Sequence, residues 1–283
     1  EHDFAVIEMA MRGKGQIAEL TQIARPTIGV ITNVGTAHIE LLGSEEAIAS
    51  AKCELLAQMP AGSVAILNHD NPLLIETAAK VWQGKVVTFG LSGGDIQGKL
   101  IDSDTLEVAG MQLPLPLPGR HNATNFLAAL AVTQVLGIDW SCLKSGVMVN
   151  MPKGRSQRFT LPNDVVILDE TYNAAPEAMQ AALHLLADTP GKRRIAVLGA
   201  MKEVGERSHS LHQQVGETVR KLNLDALLVL ADGQDAEAIA KSAEGIPSEC
   251  FATHADLVAS LKTFVQEGDR ILFKAAHSVA LDK

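Results

Sequence analysis

The chain has 283 residues, of which 47% are hydrophobic and 20% are charged, and its formal net charge at pH 7 is -9. This composition argues against nucleic-acid binding and against binding to anionic membranes, because both select for clustered lysine and arginine. The length is sufficient for two hydrophobic cores of about 130–150 residues each, so we expect two domains.

The cysteines argue against a disulfide-stabilised or thiolate-metal protein, and the apolar runs argue against a membrane-spanning one. Cys53, Cys142 and Cys250 are far apart and have no CxxC spacing, which suggests neither a disulfide framework nor a thiolate metal site. A reducing cytoplasm is the expected location. No apolar run approaches the ~18–20 residues of a membrane span, so we expect no membrane insertion.

Apolar runs alternate with helical spacing along the first half of the chain, which is typical of α/β proteins. Strands are predicted at residues 4–9, 27–32, 64–68 and 86–89, and helices at residues 16–24, 44–59 and 121–136. Short alternating runs at residues 100–117, together with Pro114, Pro116 and Pro118, predict an antiparallel excursion at a sheet edge. Because a core strand begins already at residue 4, we expect a fragment that lacks its natural start.

The segment Pro152-Lys153-Gly154 separates this half from a second alternation. We therefore predict one domain at residues 1–152 and another at residues 153–283. In the second, strands are predicted at residues 165–169, 195–198, 226–230 and 270–274, and helices at residues 175–187, 210–222, 236–242 and 256–267, with a further helix beginning at 276–281. Regular alternation of this kind implies a parallel, doubly wound sheet.

Polar residues follow the first two predicted strands, where open α/β sheets bind their ligands. Glu8 ends one strand, and Asn33, His38 and Lys52 follow the next. A glutamate oxygen and a neutral histidine suit magnesium, although Glu8 is equally a solvated strand end and His38 a loop residue. Lys52 is either a surface lysine or a lysine that reacts with carbon dioxide to give a metal-holding carbamate.

Two asparagines and two arginines are candidates for nucleotide contacts. Asn122 and Asn125 lie on neighbouring positions of one helical face, although Asn122 is also a candidate helix cap. Arg155 and Arg158 follow the domain boundary, and either could bind a phosphate bidentately or be a solvated charge.

The segment from Asp169 to Pro176 ends the first strand of the second domain. Two adjacent carboxylates, Asp169 and Glu170, precede Tyr172, the single tyrosine, and this pattern suits ribose hydroxyls and base stacking. Asn173 is also a candidate helix cap. Lys274 follows the last strand and either binds a carboxylate or is structural. No GxGxxG is present, so a dinucleotide cofactor and a Rossmann dehydrogenase are disfavoured.

The chain resembles the Mur ligase superfamily in six motifs that follow one another in order: AVIEMAMRGKGQIAEL, ITNVGTAHIELLGS, AKCE, LPGRHNATN, LDETYNAAPEAM and FKAAHS. It is most similar to the branch that joins D-alanyl-D-alanine to a UDP-N-acetylmuramoyl-tripeptide, whose DDSYNA pattern resembles DETYNA here. The DNPR signature of the branch that adds diaminopimelate or lysine is absent.

The resemblance implies a fold and a set of roles. The fold is a truncated P-loop-type central α/β domain, lacking its first strands and its P-loop, followed by a Rossmann-like doubly wound C-terminal domain. ATP and Mg2+ are the implied cofactors, with Glu8, His38 and a carbamylated Lys52 holding the metal. The implied catalytic residues are Lys52, His38 and Arg158. The implied nucleotide contacts are Asn33, Asn122, Asn125, Arg158, Glu170, Tyr172 and Asn173, and the implied substrate contacts are Lys274 and Ser278.

The sequence departs from the family pattern at several positions. Glu170 replaces the usual aspartate, Ala200 replaces the aspartate of a GDM pattern, and residues 275–277 replace Gly-Ser-Arg. No GxxGKT-type phosphate loop occurs in the 283 residues. Since that loop positions the β and γ phosphates, we expect no ligase turnover from this chain alone.

The expected activity of the intact protein is ATP-dependent amide formation through an acyl phosphate. Its partners would be the UDP-N-acetylmuramoyl-tripeptide and D-alanyl-D-alanine, and we expect a monomer. The alternatives are another ligase of the superfamily, of the folylpolyglutamate or cyanophycin synthetase type, and a non-catalytic module that binds a nucleotide or dipeptide.

Overall fold

The structure, a computed structural model, describes residues 2–231 and 233–282. The chain divides into two compact units, Glu1–Met148 and Val149–Lys283. The division falls a few residues before the boundary predicted after Pro152.

The first unit contains a six-stranded sheet and five α-helices among its described residues. The helices are α1 Gln16–Ala24, α2 Ile39–Leu42, α3 Glu45–Gln58, α4 Pro72–Val81 and α5 Arg120–Val135. The strands are β1 Ile28–Ile31, β2 Val64–Asn68, β3 Lys85–Gly90, β4 Ile96–Leu100, β5 Thr105–Val108 and β6 Met111–Pro114. A 3-10 helix follows at Ser141–Ser145.

The sheet of the first unit has the strand order β1-β2-β3-β4-β5-β6. Strands β1 to β4 pair in parallel, and β4, β5 and β6 pair antiparallel, which confirms the predicted antiparallel excursion. Strand β2 sends Ala65 and Leu67 into one core cluster and Ile66 into another. Because successive strand residues face opposite sides, both faces of this sheet are covered, which is typical of parallel sheets.

The predicted strand at residues 4–9 is wrong. These residues are not in a strand, and Phe4, Val6 and Ile7 are exposed, with Val6 at 99%. A strand requires a neighbour for its backbone N–H and C=O groups. No described strand pairs with this segment. Its backbone therefore lacks the hydrogen bonds to a neighbouring strand that would make it part of a sheet.

The second unit contains a second six-stranded sheet and four α-helices among its described residues. The strands are β7 Gln157–Leu161, β8 Val165–Asp169, β9 Arg193–Leu198, β10 Ala226–Leu230, β11 Ser248–Phe251 and β12 Asp269–Lys274. The helices are α6 Pro176–Asp188, α7 Ser208–Lys221, α8 Gln234–Ser242 and α9 His254–Phe264. The helix predicted from residue 276 is only a short 3-10 turn at His277–Val279, ended by Ala280 in the left-handed conformation.

This sheet has the order β11-β10-β9-β12-β8-β7, and only β7 runs antiparallel to its neighbour. The carboxyl ends of β9, β12 and β8 are therefore adjacent, as the prediction of a parallel sheet requires. In the β7–β8 pair, Gln157 lies opposite Asp169. Residues just before β7 consequently lie at this same edge of the sheet.

The core of the second unit is one apolar cluster that includes every residue of β10. Such continuous burial explains why an unbroken apolar run predicted this strand correctly. None of the helices in the described part of the chain is long and apolar enough to cross a membrane.

Candidate functional site

Three consecutive backbone carbonyls after β1 are each bound by a side chain. Asn68 Nδ2 donates to the Thr32 carbonyl at 2.9 Å, Lys52 Nζ to the Asn33 carbonyl at 2.7 Å, and Asn71 Nδ2 to the Val34 carbonyl at 2.7 Å. We call this arrangement of Asn68, Lys52 and Asn71 the carbonyl clamp. It fixes the backbone at the carboxyl end of β1, where a ligand was predicted.

The carbonyl clamp is built by local sequence signals. Ser44 caps α3 by accepting from Ala47 N–H at 3.1 Å, and α3 carries Lys52. Asn71 caps α4 by accepting from Leu74 N–H at 3.0 Å, and Pro72 occupies the first turn of that helix. Asn68 and Asn71 were not predicted from the sequence, although Asn71-Pro72 is a recognisable helix start.

The residues predicted to hold magnesium come from three separate segments of the first unit. Glu8 is exposed outside any strand, and His38 lies in the left-handed conformation just before α2. The described residues contain no group of three or more His, Cys, Asp and Glu side chains placed to hold a metal ion. A protonated Lys52 amine would also repel a cation.

The two asparagines of α5 differ in environment. Asn122 is buried, and its Nδ2 donates to the Pro118 carbonyl at 2.8 Å. It is not the helix cap, because Gly119 occupies that position. Asn125, one turn further along, is exposed. The structure therefore gives Asn122 a structural bond and leaves the side chain of Asn125 at the surface.

In the second unit, Lys274 and Glu170 lie at the ends of β12 and β8. Lys274 is only 4% exposed, and its Nζ donates to the backbone carbonyls of Asn173 at 2.9 Å and Glu170 at 3.4 Å. Burial lowers the pKa of Lys274, against the opposing influence of Glu170 and Asp169. For Lys274, both a role in binding a carboxylate and a structural role were predicted. The bonds to two backbone carbonyls are what a structural role requires.

The Glu170 carboxyl is partly buried beside this lysine. Its Oε1 accepts from Ser156 Oγ at 3.2 Å. Burial raises the pKa of Glu170, while the charge of Lys274 and the Ser156 hydrogen bond act in the opposite direction. The neighbouring Asp169 instead accepts from Thr171 N–H at 3.1 Å and Thr171 Oγ1 at 2.6 Å. The two adjacent carboxylates therefore have different partners.

Tyr172 is 43% exposed at the same edge of the sheet. The Arg155 guanidinium carbon lies 3.9 Å from the centre of its ring, and the His277 ring lies 5.9 Å from it. Its backbone N–H donates to the Gly154 carbonyl at 2.9 Å. Arg158, which the sequence analysis favoured over Arg155, is exposed on β7, so the structure brings Arg155 and not Arg158 to this tyrosine.

The remaining predicted residues lie nearby in the chain. Asn173 is exposed and does not cap α6, whose cap position is Ala175. Asn173 instead accepts from the next backbone N–H, that of Ala174, at 2.8 Å. Ser278 is exposed within the 3-10 turn that follows β12.

A buried histidine that the sequence analysis did not single out supports the loop after β9. His212 on α7 is 0% exposed, and its Nε2 accepts from Met201 N–H at 2.9 Å. The adjacent Ala200 carbonyl accepts from Ala276 N–H at 3.0 Å. His212 therefore links α7 to a loop that is bonded to the segment after β12.

Two family models match the chain. Residues 1–133 match the Mur ligase middle domain, and residues 154–277 match the glutamate ligase domain of the Mur ligases. Together the two models account for nearly the whole chain.

Individual relatives agree with these models. The chain is 59% identical over 281 residues to a UDP-N-acetylmuramoyl-tripeptide--D-alanyl-D-alanine ligase of Synechocystis sp., covering 99% of the chain and 62% of the relative. It is 33% identical to the Escherichia coli ligase of the same name, covering 100% of the chain and 64% of that protein.

A solved structure is also similar. The MurF ligase of Thermotoga maritima in complex with ADP superimposes with a TM-score of 0.84 at 32% identity, covering 97% of this chain and 64% of that one. The chain thus spans a little under two thirds of the length of the relatives it matches. From its motifs, its fold and both matching domain models, the chain belongs to the Mur ligase family.

Proposed function

We propose that this chain serves an ATP-dependent ligase that joins D-alanyl-D-alanine to a UDP-N-acetylmuramoyl-tripeptide. The observation that carries the proposal is the 59% identity, over 99% of the chain, to a relative named for that reaction. The ADP complex of a structurally similar ligase supports the use of ATP. The arrangement of polar groups at the carboxyl edges of both sheets agrees with such a role.

The proposed reaction has two steps. The γ-phosphoryl group of ATP passes to the substrate carboxylate, which gives an acyl phosphate and ADP. The amine of D-alanyl-D-alanine then attacks the acyl carbon, the carbon–oxygen bond to phosphate breaks, and the amine loses a proton as the amide forms. Neither step requires a redox cofactor.

The first unit would contribute hydrogen-bond donors to the nucleotide. The amide of Asn33 lies at the end of β1 on a backbone held by the carbonyl clamp. Asn125 has an exposed amide on α5, whereas Asn122 supports the start of that helix. We propose Asn33 and Asn125 as direct contacts and Asn122 as a residue that positions α5.

The second unit would bind the adenosine part. Tyr172 offers an aromatic ring for the base, and Glu170 accepts hydrogen bonds, which suits ribose hydroxyls. We propose Arg155 rather than Arg158 as the arginine beside the nucleotide, because Arg155 already lies 3.9 Å from the tyrosine ring centre. Asn173 and Ser278 remain predicted contacts. Lys274 would act by fixing the turn that carries Glu170.

Magnesium remains a prediction from the family resemblance, and no step above depends on it. A metal site at Glu8, His38 and Lys52 would need the carbamylated form of Lys52 to supply oxygen ligands. A carbamate nitrogen keeps one hydrogen, so this form is compatible with the 2.7 Å bond to the Asn33 carbonyl.

Calorimetric titration tests the nucleotide part of the proposal. ADP and ATP are titrated into the protein and into two variants, Tyr172→Leu and Tyr172→Phe. Loss of base stacking in Tyr172→Leu should weaken binding by about 1–3 kcal/mol, while Tyr172→Phe keeps the ring and should bind like the parent. Equal affinity of all three proteins would remove Tyr172 from the proposal.

The acceptor is tested in the nucleotide-loaded protein. D-alanyl-D-alanine should bind, and L-glutamate should not. Saturable glutamate binding without dipeptide binding would instead favour a ligase of the folylpolyglutamate type. ATP-dependent phosphate release by this chain, with either ligand bound, would contradict our expectation that the chain alone does not turn over.

A further inference from the structure

The Asn71 side-chain amide binds two structural elements. Its Nδ2 donates to Asn33 Oδ1 at 2.7 Å and to the Val34 carbonyl at 2.7 Å. Its Oδ1 accepts from Leu74 N–H at 3.0 Å and so caps α4. A side-chain amide has two N–H donors and one oxygen acceptor, so every group of Asn71 has a partner.

The hydrogen bond from Asn71 fixes the orientation of the Asn33 side-chain amide. The oxygen of that amide accepts from Asn71, so the opposite end, the Nδ2 group with its two donors, points away from the bond. Asn33 is exposed, and no described residue accepts a hydrogen bond from its Nδ2. Both donors are thus available to a ligand.

The carbonyl clamp also removes competing acceptors from this position. The carbonyls of Thr32, Asn33 and Val34 each already accept from a side chain. Their partial negative charges are therefore compensated locally. The segment after β1 consequently presents donors, which suits an anionic oxygen.

We propose that Asn71 is a positioning residue for the ligand site of the first unit. It holds the Asn33 amide with its Nδ2 donors directed at an anionic oxygen, which is a phosphate oxygen of the nucleotide if the proposed function holds. Asn71 itself does not touch the ligand. The inference therefore rests on the proposed function for the identity of the ligand, and on the bonds above for the positioning.

Substitutions can separate the two tasks of Asn71. Serine and aspartate both cap helices well, so Asn71→Ser and Asn71→Asp preserve the bond to Leu74 N–H. Serine is too short to donate to both Asn33 and Val34, and a carboxylate cannot donate at all. Both variants thus keep the helix cap and release the Asn33 amide.

The experiment measures ADP and ATP affinity by calorimetry in the parent, Asn71→Ser, Asn71→Asp, Asn33→Ala and the double variant Asn33→Ala/Asn71→Ser. Asn71→Ser should weaken nucleotide binding about five- to tenfold, the equivalent of one lost hydrogen bond. In the Asn33→Ala background the same change should have no further effect, because the effect acts through Asn33.

Two further measurements exclude a purely structural effect. The control Thr253→Ala removes a different helix cap, on α9, and should leave nucleotide affinity unchanged. In 15N-labelled protein, the side-chain NH2 signals of Asn33 should shift in both Asn71 variants, while exchange of the Leu74 amide should stay slow.

The possible outcomes distinguish the inference from the proposed function. If the parent binds nucleotide and Asn71→Ser binds it equally well, the inference is overturned and the proposed function stands. Additive losses in the double variant would also overturn it, since Asn71 would then act independently of Asn33. If the parent binds no nucleotide, the proposal that these residues contact the nucleotide is overturned, and the ligand assigned to Asn33 falls with it.

Discussion

Gly154 is a position in the second unit where we expect even a small substitution to be costly. Its φ is +73°, and a Cβ there would lie 2.8 Å from Tyr172 N and 2.9 Å from Thr171 Oγ1. The left-handed backbone alone costs alanine roughly 1–2 kcal/mol. Relief of the contacts would break the bond from Tyr172 N–H to the Gly154 carbonyl, which adds about 1 kcal/mol. Gly154→Ala should therefore lower the free energy of unfolding by about 2–3 kcal/mol.

The matched control is Gly245→Ala in the same unit. Gly245 has a φ of +88° but nothing within 4 Å of a Cβ, so alanine there experiences only the backbone strain. Urea unfolding is followed by fluorescence of Tyr172, the single tyrosine of the chain. A free energy of unfolding for Gly154→Ala equal to that of Gly245→Ala would refute the argument from close contact.

Three further predictions concern buried or stacked groups. Lys274→Met should destabilise the second unit by about 1–3 kcal/mol, because the carbonyls of Asn173 and Glu170 lose their donor and the Glu170 carboxyl loses a nearby positive charge. Since the already raised pKa of Glu170 then rises further, the deficit should grow as the pH rises through that pKa; urea unfolding of the parent and the variant at several pH values measures this. Arg155→Ala should increase acrylamide quenching of tyrosine fluorescence, whereas Arg158→Ala should leave it unchanged. His212→Phe leaves the Met201 N–H without that acceptor and should cost about 1–3 kcal/mol by urea unfolding.

The buried parallel strands were predictable because periodicity and burial agree. The predicted bounds of β2, β8 and β10 match the structure, and each is a continuous apolar run with β-branched residues. The edge strand β7 was missed, since its exposed sequence QRFTL has no such run. Residues 4–9 show the converse case, in which a strand-like pattern has no described strand to pair with.

The sequence indicates the residue types of the candidate site but not their contacts. Sequence placed Asn33 and Lys52 after β1, yet nothing local indicates that Asn71 would bind the Asn33 amide. Likewise, only the structure shows that Arg155 lies against the Tyr172 ring, whereas Arg158 is exposed on β7. Ser156 between them has a φ of +45°, so the backbone changes direction there before β7 begins. That turn leaves one arginine at the edge of the sheet and the other within the strand.

The carbonyl clamp has a consequence for the order of folding. Its three bonds join residues separated by only 19 to 37 positions, within the β1–α3–β2 crossover and the turn that follows it. Contacts of short sequence separation lose little chain entropy when they form. The shape of the loop after β1 is therefore set by a single supersecondary unit, and it can be acquired before either sheet is complete.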